Sequence, residues 1–149
     1  MDGYEEFVEE ATTGHFDRPT DDGWSAEQIV AHVTCNNEAL IAATEALLAG
    51  EAITYDNREV TDTAVLDAYA ASYGALRGLA DRFAETVAVL RDLSARLGDR
   101  GDTPVPVRLQ DGGDVVLDRP VPWARLLQIN AEQHVPGHLE QLRALRRRS

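Results

Sequence analysis

The strongest periodic signal in the chain begins at Leu66. Leu66, Tyr69, Tyr73, Leu76, Ala80, Phe83, Val87 and Leu90 follow one another in alternating steps of three and four, and Leu93 and Leu97 extend the run. That spacing keeps all of these side chains on one helical face. Sustained over three or more heptads, it predicts a long bundle helix. Asp62 can cap its start and Gly98 its end, while Gly74 and Gly78 weaken the pattern without breaking it.

A second helix is predicted from about Ala26 to Ala49, where Ile29, Val33, Asn36, Leu40, Ala43 and Leu47 recur in the same way. Ser25 is its N-cap and Gln28 stands at the capping-box position, with Trp24 as the apolar staple ahead of the cap. Gly50 ends it. A short first helix over residues 2–13 has Tyr4, Phe7, Val8 and Ala11 as its apolar side, and Asp2, Glu5 and Glu6 suit its N-terminus. Residues 14–23 read as a breaker-rich loop and residues 51–61 as a polar connection.

Residues 99–120 hold Gly101, Pro104, Pro106, Gly112, Gly113 and Pro120, with VPVRL and DVVL between them. That pattern predicts a short hairpin or extended loop. A last helix runs from Val121 or Pro122 to about Arg147. With no repeat and no linker, these elements predict one all-α domain over residues 1–149, a four-helix bundle with a short hairpin or extended loop before the last helix.

Composition narrows the function classes. The 26 acidic residues outnumber the 14 basic ones, all arginine, for a net charge of −12. Nucleic-acid binding depends on neutralising phosphates, so the acidity argues against it. The one basic cluster, Arg143, Arg146, Arg147 and Arg148, reads as a charged final turn that complements the helix dipole. No apolar run has the length of a membrane span, and the acidic start lacks the apolar stretch of a secretory signal. Cys35 is the only cysteine, so no intrachain disulfide can form. A cytoplasmic protein is the expectation.

Against this background two polar intrusions stand out. His134 and His138 continue the apolar stripe of Leu127, Ala131, Leu142 and Leu145 on the last helix. Four residues is about one helical turn, so both imidazoles leave the same face. Polar groups where core packing calls for Leu or Val tend to mark function. His32 lies roughly 10–12 Å from the start of the second helix, and the His134–His138 midpoint lies roughly 14–16 Å before the end of the last. If those helices run antiparallel, the heights nearly match. Neutral imidazole is the commonest ligand for zinc, nickel and related ions. Three such ligands leave positions open for water or substrate.

Pro136 complicates the geometry. Within a helix it lacks an N–H and clashes with the carbonyl four residues back, so the last helix either kinks there or breaks and restarts. Cys35 is either a ligand or nucleophile at the same site or a small buried hydrophobe. Asn36 could line a pocket, and Glu132 and Gln141 are candidates to orient imidazoles or are solvated. His15 is expected in solvent, and Trp24 and Trp123 as packing anchors. No general base can be assigned from spacing among Glu38, Glu132 and Asn36.

Trp24-Ser25-Ala26-Glu27-Gln28-Ile29-Val30-Ala31-His32 resembles the opening motif of the DinB/YfiT-like metalloenzyme family, and HVPGHLEQLRAL (134–145) resembles that family's closing H-x-x-x-H-x-x-Q-L-x-x-L helix. The mycothiol-dependent maleylpyruvate isomerases are distant relatives of that family. The resemblance implies an up-down-down-up bundle, a homodimer, and a divalent metal, nickel or zinc, held by His32, His134 and His138. It also implies a small-molecule substrate, with thiol transfer or isomerisation using mycothiol or bacillithiol as the leading chemistry. It implies no DNA binding. The first helix is shorter than in that family, and Pro136 and Gly137 stand where it has good helix formers. The rival expectation is a non-enzymatic helical bundle that binds a ligand or dimerises, with a vestigial metal site.

Overall fold

The computed structural model describes residues 2–111 and 113–147. Gly112 of the expected turn and Arg148 of the basic cluster lie outside them. Helix α1 (Gly3–Thr13) is followed by α2 (Ala26–Leu48), α3 (Thr63–Tyr73) and α4 (Leu76–Leu97). Strand β1 (Tyr55–Asp56) precedes α3, and strands β2 (Pro104–Asp111) and β3 (Asp114–Pro122) follow α4. The last helical rod runs over residues 123–144. It consists of α5 (Trp123–Ile129), a π-helical segment (Asn130–His134) and α6 (Val135–Ala144).

The helix starts follow their chemistry. Asp2 caps α1 by accepting from the Glu5 N–H at 2.9 Å. Ser25 and Gln28 form the full reciprocal capping box on α2, and Asp62 caps α3. The helices close a ring in which α2 packs on α4, α4 on α1, α1 on α6, and α6 on α2, with α3 laid against α2. Glu10, buried on α1, is neutralised by Arg146 at 2.8 Å and Arg143 at 3.3 Å. Two of the C-terminal arginines thus tie the last helix to the first.

The all-α four-helix bundle expected from the periodicity is overturned by a three-stranded mixed sheet. In it β2 pairs in parallel with β1 and antiparallel with β3. The alternation in PVPVRLQD buries Val105 and Val107 on one face, so this segment makes a full strand rather than a loop. Its partner β1 comes from the stretch expected to be a plain polar connection. There Tyr55 is buried against Trp123, with ring centroids 5.9 Å apart.

The long third helix is also two helices. Gly74 takes φ +79°, a left-handed conformation open to glycine, and ends α3. A Cβ on Gly78 would lie 2.4 Å from the Tyr73 carbonyl oxygen, so the glycine lets the end of α3 sit against the first turn of α4. The heptad pattern survives the break because Leu66 and the α4 residues Leu79, Ala80, Phe83 and Val87 join the same core.

Two apolar clusters stack along the ring. One gathers Phe7, Ile29, Leu79, Phe83, Val135 and Leu142; the other gathers Leu40, Leu90, Val105, Trp123 and Leu126. Between them runs a buried polar layer made by Asn36 and Asn37 of α2, Thr86 of α4 and Asn130 of the π segment. Asn130 donates to Tyr4 Oη at 2.9 Å and to Asn37 Oδ1 at 3.0 Å, and accepts from Asn36 Nδ2 at 3.0 Å. Asn37 donates to Thr86 at 3.1 Å, and the Tyr55 hydroxyl donates to Asn36 Oδ1. Burial raises the pKa of Tyr55, with the Asp56 charge adding to the effect, which keeps that donor protonated. Among the described residues, no helix is long and apolar enough to cross a membrane.

Candidate metal centre

His32 leaves α2 at the edge of the first cluster and is 2% exposed. His134 closes the π segment and His138 lies one turn into α6, both partly buried. The three Nε2 atoms converge: His134 Nε2 is 3.0 Å from that of His32 and 3.2 Å from that of His138. All three rings offer a ligand atom within 4.8 Å of the others.

Each ring's other nitrogen is held by an oxygen. His32 Nδ1–H donates to the Val60 carbonyl at 2.6 Å, His134 Nδ1–H to Asn130 Oδ1 at 2.9 Å, and His138 Nδ1–H to Gln141 Oε1 at 2.8 Å. A nitrogen that donates to an oxygen carries the proton of a neutral imidazole, so all three Nε2 atoms present lone pairs. Lone pairs packed this closely repel one another unless a cation lies among them. Tetrahedral coordination at about 2.0–2.1 Å places ligand nitrogens roughly 3.3 Å apart, close to the separations seen. The donor set and its oxygen partners therefore fit a divalent transition metal.

Electrostatics act in the same direction. Burial lowers the pKa of His32 from 6.5 to about 4, and the proximity of His138 contributes further. Burial likewise holds His134 well below its usual value and lowers His138, although Gln141 and the Asp111 charge pull His138 back up. The rings are thus neutral at neutral pH, the form that ligates metals.

The π segment explains how the helix accommodates Pro136. The Val135 N–H bonds to the Asn130 carbonyl five residues back, so the rod gains one residue in that turn. It neither breaks nor restarts at the proline. Pro136 enters the first turn of α6, where its missing N–H is tolerated. Both histidine rings stay on the inner face, with centroids 4.7 Å apart.

Other expected residues divide. Gln141 does hold an imidazole, whereas Glu132 is exposed and bonded by Gln128 at 3.2 Å. Asn36 sits in the buried polar layer behind His134. Glu38 is paired with Arg82 at 2.6 Å. Cys35 stays outside the ligand cluster, and its thiol is pushed up to about 12 by burial, with the Glu38 charge adding to the shift. His15 is exposed. Trp123 is the packing anchor expected, fully buried with its indole N–H on Thr44 Oγ1 at 2.8 Å.

Trp24 does more than staple the helix start. Its ring stands 4.9 Å from that of His32 and stacks on His138 at 6.1 Å with planes 16° apart. Val60, which fixes His32, and Asn57 had no sequence signal, because both lie in the connection read as plain loop. Asn57 clamps the sheet beside the centre: it donates to the Gln110 carbonyl at 3.0 Å and accepts the Gln110 N–H at 2.7 Å, at the bulge in β2.

The centre is open on one side. A cavity of about 690 Å³ lies over the three imidazoles, between the β2–β3 hairpin and the last helical rod. Trp24, Leu109, Val116 and Ile129 give it apolar walls. Asn57, Thr61, Gln110 and Gln133 supply neutral polar groups, and Asp111 a carboxylate. Three imidazoles beside such a cavity would leave positions on a bound ion open to water or a small molecule, unlike the closed shell of a structural site.

No family model, no curated protein and no solved structure compared with the chain matches it.

Proposed function

We propose that this chain is a divalent-metal-dependent enzyme of the DinB-like kind that acts on a small molecule, with nickel or zinc on His32, His134 and His138. One observation carries the reading: three neutral imidazoles, each locked by an oxygen on Nδ1, aim their Nε2 lone pairs at one another beside an open cavity. When bound there, a divalent ion supplies Lewis acidity, which makes a water or a thiol a stronger nucleophile at neutral pH. Thiol transfer or isomerisation is the first choice of reaction and hydrolysis the second.

The chain's own residues divide the remaining work. Val60, Asn130 and Gln141 fix the tautomer and orientation of the three rings. Trp24 shields the His32 and His138 rings and forms one wall of the cavity. The side-chain amides of Gln110 and Gln133 offer donors and acceptors to orient a polar substrate without charge, while Asn57 holds the sheet in place beside them. Homodimerisation belongs to the same reading, and sedimentation would test it.

The test is a screen of low-molecular-weight thiols, mycothiol and bacillithiol among them, against an electrophile, using zinc- or nickel-loaded protein. The expected result is metal-dependent adduct formation that is lost in His138→Ala. Metal-loaded protein that is no faster than the variant with every thiol, electrophile and hydrolysable ester offered would remove the enzymatic reading and leave a non-enzymatic bundle.

A further inference from the structure

The charge of the cavity over the imidazoles is one-sided. Apart from the histidines, Asp111 is its only ionisable lining residue among those described. No arginine lines it there, and the chain contains no lysine. The remaining polar lining is neutral: the amides of Asn57, Gln110 and Gln133 and the Thr61 hydroxyl. Asp111 ends strand β2 at the hairpin, lines the cavity from an exposed position and stays outside the imidazole cluster.

A ligand that reaches the centre through an anionic donor, such as a thiolate, leaves the rest of its body among these groups. A second negative charge there would meet no cation and one carboxylate, inside a protein of net charge −12. A neutral body rich in hydroxyls or amides would find partners in the amides. A positively charged amine would find Asp111.

We propose that the cavity selects ligands by the charge of the part that lies away from the imidazoles: neutral or amine-bearing bodies enter, carboxylate- or phosphate-bearing bodies are rejected, and Asp111 is the residue that sets this preference. The inference rests on the reading of the three histidines as a metal centre.

The experiment uses Co(II)-loaded protein and three small thiols of similar size: cysteamine (cationic), 2-mercaptoethanol (neutral) and 3-mercaptopropionate (anionic). Binding is followed at one fixed pH by the thiolate-to-cobalt charge-transfer absorption. Wild type should prefer cysteamine over 3-mercaptopropionate by about tenfold or more relative to Asp111→Asn, with 2-mercaptoethanol binding alike in both. Comparing the same thiols across the two proteins cancels their intrinsic acidity. If Co(II) binds but the ratio of cysteamine to 3-mercaptopropionate affinity is the same in both proteins, the inference fails and the metal centre stands. An equal loss for all three thiols in Asp111→Asn assigns Asp111 to proton handling or metal binding and also overturns it. If no cobalt spectrum forms, the metal centre fails and the inference falls with it.

Discussion

His134 Nδ1 lies 2.9 Å from Oδ1 of Asn130, a side chain that also bonds Tyr4, Asn36 and Asn37. A single amide at the head of the π segment therefore connects a candidate ligand to α1 and α2. Buried networks of this kind are stabilising only while every member is satisfied. Replacing Asn130 by Ala strands polar groups of at least three residues.

Asn130→Ala should accordingly lower the unfolding free energy by about 2–3 kcal/mol, read from urea midpoints. The same variant should bind Zn(II) roughly 10–100-fold more weakly, because His134 loses the partner that fixes its tautomer. Unchanged metal affinity at reduced stability would make the network purely structural.

Stability of the metal-free protein should fall as the pH drops from about 6.5 towards about 4. Burial has lowered the folded-state pKa of His32 to about 4, whereas the unfolded chain takes up that proton near 6.5. The unfolded state thus binds more protons within this window, so stability rises with pH across it and levels off above. His32 alone accounts for on the order of 3 kcal/mol. Urea unfolding at several pH values checks this, and His32→Gln should flatten the slope.

Cys35 should be inert. Its thiol is held near 12 by burial and by the Glu38 charge, so almost no thiolate exists at neutral pH. Ellman's reagent should label the native protein slowly and the urea-unfolded protein at once. Cys35→Ala should retain full metal binding. Rapid labelling of the native protein would restore Cys35 as a nucleophile.

Much of the site was legible from the sequence because helices were. The capping box at Ser25 and Gln28 fixes where α2 starts, and hence where His32 falls along it. The four-residue spacing of His134 and His138 kept its meaning because the π turn absorbs the proline within the rod. The parts that escaped depend on contacts between distant segments. Tyr55 and Asp56 form a strand only because β2 offers an edge, and two residues carry no periodicity of their own. The Val60 carbonyl that orients His32 is a backbone group, invisible in any side-chain pattern. The break at Gly74 was masked because α3 and α4 feed one core, so the heptad continues through the turn.

Three imidazole nitrogens should hold one divalent ion, and calorimetric titration with Zn(II) and Ni(II) measures whether they do. Wild type, His32→Ala, His134→Ala and His138→Ala would be titrated side by side, with circular dichroism confirming that each is folded. One ion should bind per wild-type chain, and that binding should be lost in each folded variant. Equal metal binding in all four proteins, or none in the wild type, would contradict this.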